Sequence, residues 1–495
     1  MRRNKRKKRR SPQLPVVLDT FGIHLKAKII DSLYALIRDL QGSAKVHLII
    51  GAKWGDEGKG KMCAFFSRNA DLAIRATGGT NAGHTVVFYI GGKKIKMVLH
   101  LLPAGVAYEH MMGLIGKGVA IDFDTLFEEI SKFEELGINV RDRLRISGRA
   151  IVLMPYHKEL DVLHERMRAK KIGTTKRGIG PAYEDFVRRD GLIVNHLFNT
   201  VEELEQKITE VVIKHNVLFR EFGMKEQIVD ARELAERYHE YGKKIRDIVV
   251  DGHAFVRTFA EDPSKTIVVE GAQAVFLSIA DGDYPDVTSS DSNTNGTLSG
   301  AHLSIADVPE VTLVFKGYDS RVGMGPFPTE LDAHIDENGV LIPYVPEEAD
   351  TGDLLRNSAG EYGATTGRPR RVGWLDLIAL IYAVKTSGAR NGCVNHMDTL
   401  GKFALKNGGI AICVGYKYQG RIIRHYPTDY VATHEIPEPI LHWYDGWEIT
   451  PEMKTYRDLP ANCKKVIMAI EEITRLPIKY IGIGPGDDDI IIRKF

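Results

Sequence analysis

A chain of 495 residues, of which 43% are hydrophobic and 27% charged, can bury a large core and has the composition of an ordinary soluble globular protein. Residues 1–10 carry eight Lys or Arg and no acid, so removing those eight charges from the net charge of +2 leaves −6 for the other residues and excludes a general polyanion-binding protein. No apolar run is long enough to cross a membrane, and four widely separated cysteines exclude a Cys-x-x-Cys zinc site or a disulfide scaffold and favour a reducing, cytoplasmic setting.

The first 44 residues are predicted to be an extension of the main domain. The basic decapeptide is typical of a solvated tail, and a nuclear-localisation signal or a nucleic-acid patch is the alternative. Residues 27–40 place six Ile and Leu side chains at helical spacing, which predicts an amphipathic helix packed on the body or, less favoured, on a partner. We therefore expect two units, residues 1–44 and 45–495, with no membrane partner and no nucleic acid partner except through the basic tail.

Residues 46–61, VHLIIGAKWGDEGKGK, have the composition of a phosphate-binding strand and loop. The apolar run predicts a strand, and the glycines after it let the backbone approach a ligand closely enough for N–H groups to contact phosphate oxygens, beside the positive charge of Lys59. The loop differs from a standard P-loop because Gly60 stands where Ser or Thr follows the lysine. Asp56 would repel phosphate unless it holds a metal ion or accepts a proton, so it favours a catalytic loop over a plain connection.

A second glycine-rich segment, residues 78–85 (GGTNAGHT), predicts another ligand loop. His84 is either a structural histidine or a cation or acid that faces phosphate, and the neighbouring Asp-bearing loop favours the second interpretation. Residues 101–105 and 114–122 then alternate strand-like runs with turns, and residues 123–137 predict a helix, so the pattern is β/α.

Three further segments add candidate ligand groups. Residues 173–183 (GTTKRGIGPAY) combine hydroxyls, cations and glycines in a way that suits a monophosphate, and a helical, charge-rich insertion is predicted at about 200–260. Residues 266–270 predict a buried strand, and Gln273 beyond its carboxyl end offers the donor and acceptor that recognition of a base edge requires. Residues 363–374 (GATTGRPRRVGW) predict a carboxylate-binding loop, because guanidinium groups bind carboxylates bidentately; a solvated basic loop is the alternative. The apolar run Leu375–Val384 predicts the following helix.

Together these motifs resemble the adenylosuccinate synthetase family. The resemblance is carried by residues 54–61, 79–85, 173–183, 270–273, 287–290, 321–330 and 363–368, which occur in the family's order. It implies an α/β fold with a central, mostly parallel sheet of the P-loop-NTPase type, helices on both faces and helical insertions. It also implies ligation of aspartate to IMP in AMP biosynthesis, driven by GTP hydrolysis with Mg²⁺, through a 6-phosphoryl-IMP intermediate.

The resemblance implies catalytic roles for four side chains. Asp56 is the implied base that removes the N1 proton of the purine, so that the purine oxygen can attack the γ-phosphate, and it approaches Mg²⁺ together with the backbone of Gly83. His84 is implied to stabilise or protonate the β-phosphate side, while Lys59 stabilises the charge that develops in phosphoryl transfer. Gln273 is implied to contact the purine base.

The resemblance also implies three sets of substrate contacts. For IMP they are Asn81, Thr175, Arg189, Gln273 and Thr288, with Arg189 reaching the site of the other subunit in a homodimer. For aspartate they are Thr366, Arg368 and Arg370. For GTP they are Gly58, Lys59, Gly60, Lys61, Gly83, His84, Thr85, His396, Asp398, Gly484 and Pro485, with Asp398 accepting from the N1 and N2 donors of guanine.

Several positions differ from the family's pattern. Lys53 stands where glutamine is usual, Ala64 where aspartate is usual, His396 where lysine is usual and Gly482 where serine is usual; Ser278 and Ala280 replace acids, and Phe186 replaces a lysine. The alternatives left open are a relative that joins aspartate to dGMP with ATP or GTP, and a nucleotide-binding regulator without catalysis. The presence of both Asp56 and His84 favours the IMP enzyme.

Overall fold

The computed structural model describes residues 20–90, 92–169, 171–332, 350–363, 369–429 and 435–495. Its strands are β1 (Lys45–Gly51), β2 (Leu72–Gly79), β3 (His84–Ile90), β4 (Lys93–Leu99), β5 (Met112–Ile121), β6 (Leu144–Ser147), β7 (Ile151–Val152), β8 (Val249–Val250), β9 (Thr266–Glu270), β10 (Glu310–Lys316), β11 (Tyr318–Arg321), β12 (Arg371–Asp376), β13 (Asn391–Asn395), β14 (Ile410–Tyr418), β15 (Arg421–Ile423), β16 (Glu438–Tyr444), β17 (Ile478–Gly482) and β18 (Ile490–Ile492).

The helices follow the strands in alternation along much of the chain. They are α1 (Thr20–Gln41), α2 (Lys59–Ser67), α3 (Phe123–Glu134), α4 (Pro155–Met167), α5 (Ile179–Arg188), α6 (Val201–Glu221), α7 (Ala231–Ile245), α8 (Gly252–Ala260), α9 (Thr294–Gly300), α10 (Thr351–Ala359), α11 (Leu377–Ser387), α12 (Met397–Asn407) and α13 (Ala461–Thr474). The segment predicted as a helical insertion contains α6, α7 and α8.

The centre of the molecule is an eleven-stranded sheet in the order β18-β17-β13-β10-β1-β9-β2-β5-β6-β8, with β7 paired to β5. Every pair in it is parallel except β17 with β18. The predicted α/β fold with a mostly parallel central sheet is therefore confirmed. A smaller sheet contains β11, β12, β14, β15 and β16, and β3 pairs with β4 as a hairpin.

Strand β1 lies in the middle of the sheet, and six of its seven residues are buried. Its side chains alternate between two cores: Leu48 and Ile50 pack in the cluster that contains Leu298 of α9, and Ile49 packs in the cluster that contains Met62 of α2. Burial on both faces explains why β1 is a continuous apolar run rather than an alternating one. Helices thus cover both faces, as predicted.

The parallel arrangement brings several loops to one edge of the sheet. Strand β1 pairs with β9 on one side and β10 on the other, and β10 pairs in turn with β13. The chain leaves all four strands at their carboxyl ends, where ligands collect in open α/β sheets. This edge positions the candidate site.

Two predicted elements differ in the structure. The helix predicted from Leu375 begins at Leu377, because the Asp376 carboxylate accepts from the N–H groups of Ile378 and Ala379 and caps the helix there, at 2.9 and 3.0 Å. Residues 101–105 form a bend and a 3₁₀ turn instead of a strand-like run. The N–H groups of Leu101 and Leu102 donate to the Glu129 carboxylate, at 3.1 and 3.0 Å, and so are unavailable to a strand neighbour.

The N-terminal extension contributes α1, which packs on the body near α13. Residues 1–19, including the predicted basic tail, lie outside the described residues. Among the residues that are described, no helix combines the length and the apolar character needed to span a membrane.

Candidate active site

The loop after β1, residues 51–60, is held from inside the protein; we call it the opening loop. Glu57 is buried, and its carboxylate accepts from the backbone N–H of Lys53 at 2.5 Å. The Asn395 side-chain amide, at the end of β13, donates to the carbonyl of Glu57 at 2.8 Å. Asp56, with a φ of 55°, turns the other way and leaves 39% of its side chain exposed. The opening loop therefore presents Asp56 toward the open edge of the sheet.

Asp56 is joined to the arginine-rich loop by an ion pair. Its Oδ2 lies 2.9 Å from Nη2 of Arg370, and Nη1 of Arg370 donates to the buried Glu361 carboxylate at 2.7 Å. Lys316 also donates to Glu361, at 2.5 Å. Burial works to raise the pKa of Glu361, but Lys316 and Arg370 overcome it and hold the pKa at about 2. Nε of Arg370 is buried with no hydrogen-bond partner among the described residues, which leaves a donor for an acidic ligand.

His84 lies in a buried ion cluster at the start of β3. Its Nδ1 donates to Glu270 at the end of β9, and the Arg75 guanidinium lies 2.7 Å from the same carboxylate oxygen. The other oxygen of Glu270 accepts from the N–H of Ala104 at 2.8 Å. Burial, with the neighbouring Arg75, lowers the pKa of His84 to about 4, so this imidazole is neutral at pH 7. Its role toward a phosphate stays a prediction.

A group of polar side chains without partners lies at the carboxyl ends of β9 and β2. Gln273 has a φ of 51°, and neither its amide oxygen nor its amide nitrogen has a partner among the described residues although both are buried. Asn81 donates to the Thr288 hydroxyl at 3.3 Å, and its own amide oxygen is likewise unpaired. Buried polar groups normally have partners, so such a cluster indicates a site for a polar ligand. Of the residues predicted to contact IMP, the structure joins Asn81 to Thr288 and places Gln273 beyond the end of the neighbouring strand β9.

The residues predicted to contact GTP lie around the first turn of α2. A side chain at Gly60 would meet the Thr85 carbonyl at 2.9 Å and Cβ of His84 at 3.0 Å, and one at Gly58 would meet the Asn395 amide nitrogen at 2.7 Å. Lys61 donates to the carbonyl of Gly484 at 2.7 Å. His396 occupies the N-cap position of α12 without a side-chain hydrogen bond to the helix, and burial lowers its pKa to about 4. The remaining members are Lys59, which is buried 3.7 Å from Glu57; the half-buried Gly83 and Asp398; and the exposed Pro485.

Other predicted site residues are not joined to these groups. Thr175 is exposed, and Arg189 is exposed at the end of α5 with a φ of 68°. Thr366 and Arg368 lie outside the described residues. Of the three predicted aspartate contacts, Arg370 alone is described, and it lies beside Asp56.

Four residues that sequence reasoning missed have structural roles at the site. Arg75 and Glu270 hold His84, while Glu57 and Asn395 hold the opening loop. The sequence signal was present for Glu270, which ends the predicted strand 266–270, whereas Asn395 is located by the structure at the end of β13 on the same edge of the sheet. No motif in the neighbouring sequence indicates a role at the site for Arg75, which lies inside β2.

Two residues that differ from the family's pattern, Lys53 and Gly482, each lie next to a residue that accommodates them. The Lys53 ammonium donates to both oxygens of Asp319 at 2.6 and 2.7 Å, with both side chains buried. Burial raises the pKa of Asp319 to about 7 against the opposing effect of Lys53. At Gly482 any side chain would collide with the Asn395 amide oxygen. Glycine there makes room for the amide that holds Glu57.

The predicted metal ligands, Asp56 and the backbone of Gly83, suit a hard divalent cation that takes its other ligands from the phosphates of a bound substrate. Among the described residues, no three or more His, Cys, Asp or Glu side chains are grouped to hold a metal. The exposed Asp56 carboxylate and the backbone carbonyl of Gly83 are oxygen donors of the kind that Mg²⁺ takes, usually with one or two carboxylates and the rest from phosphate and water.

Comparison with known proteins gives a consistent result. The family model described as adenylosuccinate synthetase matches residues 48–491. The adenylosuccinate synthetase of Acetivibrio thermocellus is 39% identical over 447 residues, covering 90% of this chain and 99% of its own, and that of Caldicellulosiruptor saccharolyticus is 39% identical over 454 residues, covering 91% and 100%.

Two solved structures are similar. Fully ligated adenylosuccinate synthetase from Plasmodium falciparum matches with a TM-score of 0.79 and 35% identity, covering 91% of this chain and 100% of that one. Succinoaminodeoxyadenylate synthetase of cyanophage S-2L, bound to dGMP and dATP, matches with a TM-score of 0.54 at 20% identity, covering 91% and 96%. The second likeness shows the fold alone.

The Lys53–Asp319 pair generates a stability prediction. Lys53→Gln should lower the free energy of unfolding by about 3–5 kcal/mol, because it leaves a buried carboxylate without its cation. Lys53→Gln combined with Asp319→Asn should recover most of that loss, and chemical denaturation of the double-mutant cycle measures the coupling. Lys417→Gln is the control, since Lys417 and Glu438 form an exposed pair at 2.9 Å and the cost should stay below about 1 kcal/mol. Equal costs for Lys53→Gln and the control would contradict the role of the buried pair.

The contact at Gly482 generates a second prediction. Gly482→Ser should displace the Asn395 amide and weaken binding of a nucleoside triphosphate by roughly fivefold to tenfold, the scale of one lost hydrogen bond. Asn395→Ala should have a similar effect, and the double variant should add little, because both act on the same bond to Glu57. Isothermal titration gives the affinities. Fully additive effects would mean that Gly482 does not act through Asn395.

Proposed function

Because this chain belongs to the adenylosuccinate synthetase family, ligases that join L-aspartate to IMP through a C–N bond at the expense of GTP, we propose that its residues catalyse both steps of that reaction at one site beside the opening loop. The observation that carries the proposal is the 2.9 Å contact between Asp56 and Arg370. It joins the predicted base of the first step to the predicted carboxylate-binding residue of the second.

In the first step Asp56 acts as the general base. Its carboxylate removes the N1 proton of IMP, the O6 oxygen attacks the γ-phosphorus, and the bond from that phosphorus to the bridging oxygen breaks to release GDP. Lys59 and the N–H groups of the opening loop stabilise the charge on the transferring phosphoryl group. Support comes from the loop geometry, which buries Glu57 and leaves Asp56 exposed.

In the second step the α-amine of aspartate attacks C6 to form the C–N bond, the C6–O bond breaks to release phosphate, and the proton that the amine loses leaves with the phosphate. Arg370 binds a carboxylate of aspartate through its unpaired Nε, together with Thr366 and Arg368. Because Nη2 of Arg370 contacts Asp56, the bound amino acid would lie next to the atom that was phosphorylated.

Gln273, Asn81 and Thr288 form the IMP site in this proposal, with Thr175 near the phosphate. The support is that both amide atoms of Gln273 and the amide oxygen of Asn81 are buried without a partner among the described residues, while the Asn81 nitrogen donates to Thr288. The Gln273 amide can both donate and accept, which matches the N1 and O6 edge of hypoxanthine.

The triphosphate is GTP, and Asp398 accepts from its guanine, with His396 and Pro485 beside the base. Gly58, Gly60, Lys61, Gly83, Thr85 and Gly484 line the phosphate and sugar side, and His84 faces the β-phosphate. Family membership implies an enzyme that uses GTP and a divalent metal. We propose Mg²⁺, held by Asp56 and the carbonyl of Gly83, where it would neutralise charge on phosphate oxygens.

We further propose a homodimer in which Arg189 contacts the IMP phosphate of the other subunit. Arg189 is exposed and has no ion pair among the described residues. Phe186 and Val187, also exposed on α5, give this surface the apolar character of a protein interface.

Turnover with defined substrates tests the function. Purified protein should release phosphate with IMP, GTP and aspartate, and Asp56→Asn should lose at least ~10²-fold in rate while it still binds nucleotide. Substituting dGMP for IMP, or ATP for GTP, separates this reaction from the dGMP-directed alternative. Activity of Asp56→Asn near the wild-type rate would reject Asp56 as the base, and no turnover with any combination would reject the enzyme.

Mixed subunits test the shared site. Arg189→Leu chains and Asp56→Asn chains should each be nearly inactive alone, and mixing them should restore about a quarter of the wild-type rate if subunits exchange at random and one site in a hybrid dimer is intact. Hybrid formation is checked by pulling down one tagged chain and detecting the other. Hybrids without activity would contradict a contribution of Arg189 across the interface.

A further inference from the structure

Helix α1 carries an aliphatic face that points away from the protein. Seven of its side chains are between 38% and 77% exposed: Leu25, Ile29, Ile30, Leu33, Leu36, Ile37 and Leu40. At 100° per residue they occupy an arc of about 140°, and the distance from Leu25 to Leu40 is about 22 Å along the axis. Surface helices of globular proteins normally turn such a stripe toward the core.

The opposite, more polar side of α1 holds it to the body. The His24 imidazole lies 3.0 Å from the Glu471 carboxylate of α13, and the Arg390 guanidinium stacks on the ring of Tyr34 at 3.4 Å. Among the side chains of this helix that the structure describes, Ile23 and Ala27 are the apolar ones that are buried. The orientation is therefore fixed by specific contacts, and the aliphatic face is a continuous surface of the folded protein. Since α1 precedes residues 48–491, this face lies outside the segment that the family model matches.

Positive charge surrounds the N-terminal end of this face. A groove of about 900 Å³ next to Leu25 is lined by Lys28, Arg457 and Lys494, and no acidic side chain lines it. Lys26 lies within the aliphatic arc itself, where its long stem can pass along apolar surface while the ammonium stays in water. The N-terminal end of α1 thus combines apolar contact area with cations.

The chain before α1 adds a second basic element. Residues 1–10 contain eight Lys or Arg and no acid, and the described helix begins at Thr20. Nineteen residues can span at most roughly 65 Å when extended, so the basic residues can reach the plane of the aliphatic face. A cluster of this size next to an amphipathic helix is typical of binding to anionic lipid headgroups.

We propose that α1 and residues 1–10 attach this protein to the surface of an anionic lipid bilayer. The aliphatic face enters the boundary between headgroups and acyl chains, while the basic residues and the groove beside Leu25 contact headgroup phosphates and carboxylates. Stable attachment of a soluble domain needs two such signals together, and this extension carries both. The helix lies along the bilayer and does not cross it.

Charge complementarity favours an anionic bilayer over a second copy of this chain or a nucleic acid as the partner of the aliphatic face. A second copy of α1 would cover the aliphatic face, but because it carries the same basic residues it would supply no negative charge to the tail or to the groove beside Leu25. A nucleic acid would satisfy the tail but would leave the seven aliphatic side chains in water. An anionic bilayer satisfies both features at once.

Co-sedimentation of the full chain with vesicles tests the proposal. Binding is expected to vesicles of phosphatidylcholine and phosphatidylserine in equal parts, with weaker binding to phosphatidylcholine alone and a loss at high salt. The triple substitution Ile29→Gln, Leu33→Gln and Leu36→Gln should reduce partitioning at least about tenfold, because three apolar side chains can no longer enter the bilayer. Deletion of residues 1–10 should reduce it by a similar factor at low salt only.

Matched controls separate attachment from loss of the fold. Ile305→Gln with Ile422→Gln removes two side chains that are each 70% exposed elsewhere, and it should leave vesicle binding unchanged. The triple variant should keep the wild-type thermal midpoint and turnover in solution, because its substituted side chains contact solvent and glutamine favours helix.

Three results would overturn the proposal. One is equal binding of wild type and triple variant to the anionic vesicles. Another is a concentration-dependent doubling of mass in sedimentation equilibrium that the triple variant abolishes, which would assign the face to a second copy. The third is tight binding of duplex DNA, dependent on residues 1–10, without any vesicle binding.

Discussion

The Arg370 guanidinium lies between two carboxylates, and the candidate site depends on this arrangement. On one side Glu361 is buried and fixed by Lys316; on the other Asp56 is exposed at the tip of the opening loop. A planar guanidinium carries five donors in fixed directions, so it can contact both carboxylates and still present Nε to a ligand in a defined orientation. The same side chain therefore connects Asp56, the proposed base of phosphoryl transfer, to the proposed binding of the amino acid in the next step.

Two further buried carboxylates fix the two glycine-rich loops before a substrate binds. Glu57 and Glu270 both lie under a glycine-rich loop, and each accepts a backbone N–H as well as contacting a cation. A buried carboxylate without such partners would be strongly unfavourable, so each pair stabilises the loop geometry only as a set. Fixing the loops in advance means that little reorganisation remains when charge develops on the phosphate.

Much of the fold could be predicted from the sequence because its signals are local. Strands β1 and β9 are apolar runs buried on both faces, and the glycines of the opening loop directly indicated a close backbone approach. The partners of the site could not be predicted in the same way. Arg75 and Glu270 are 195 residues apart, and Lys53 and Asp319 are 266 apart, so only the order of strands in the sheet brings them together. The exposure of the aliphatic face of α1 could not be predicted either, because hydrophobic periodicity identifies an apolar stripe but not whether the stripe faces the core or solvent.

The departures from the family's pattern are best understood in pairs. Burying the Lys53 ammonium alone would be strongly unfavourable, and the Asp319 carboxylate supplies the opposite charge that offsets this cost. Glycine at position 482 leaves the space that the Asn395 amide occupies when it donates to the carbonyl of Glu57. Both pairs act on the inner side of the opening loop, whereas Asp56 is on its outer side. The substitutions can therefore change how the loop is held while leaving in place Asp56, the carboxylate proposed as the base. Nothing in the structure explains Ala280, whereas Phe186 is exposed on α5 as part of the surface proposed for the subunit interface.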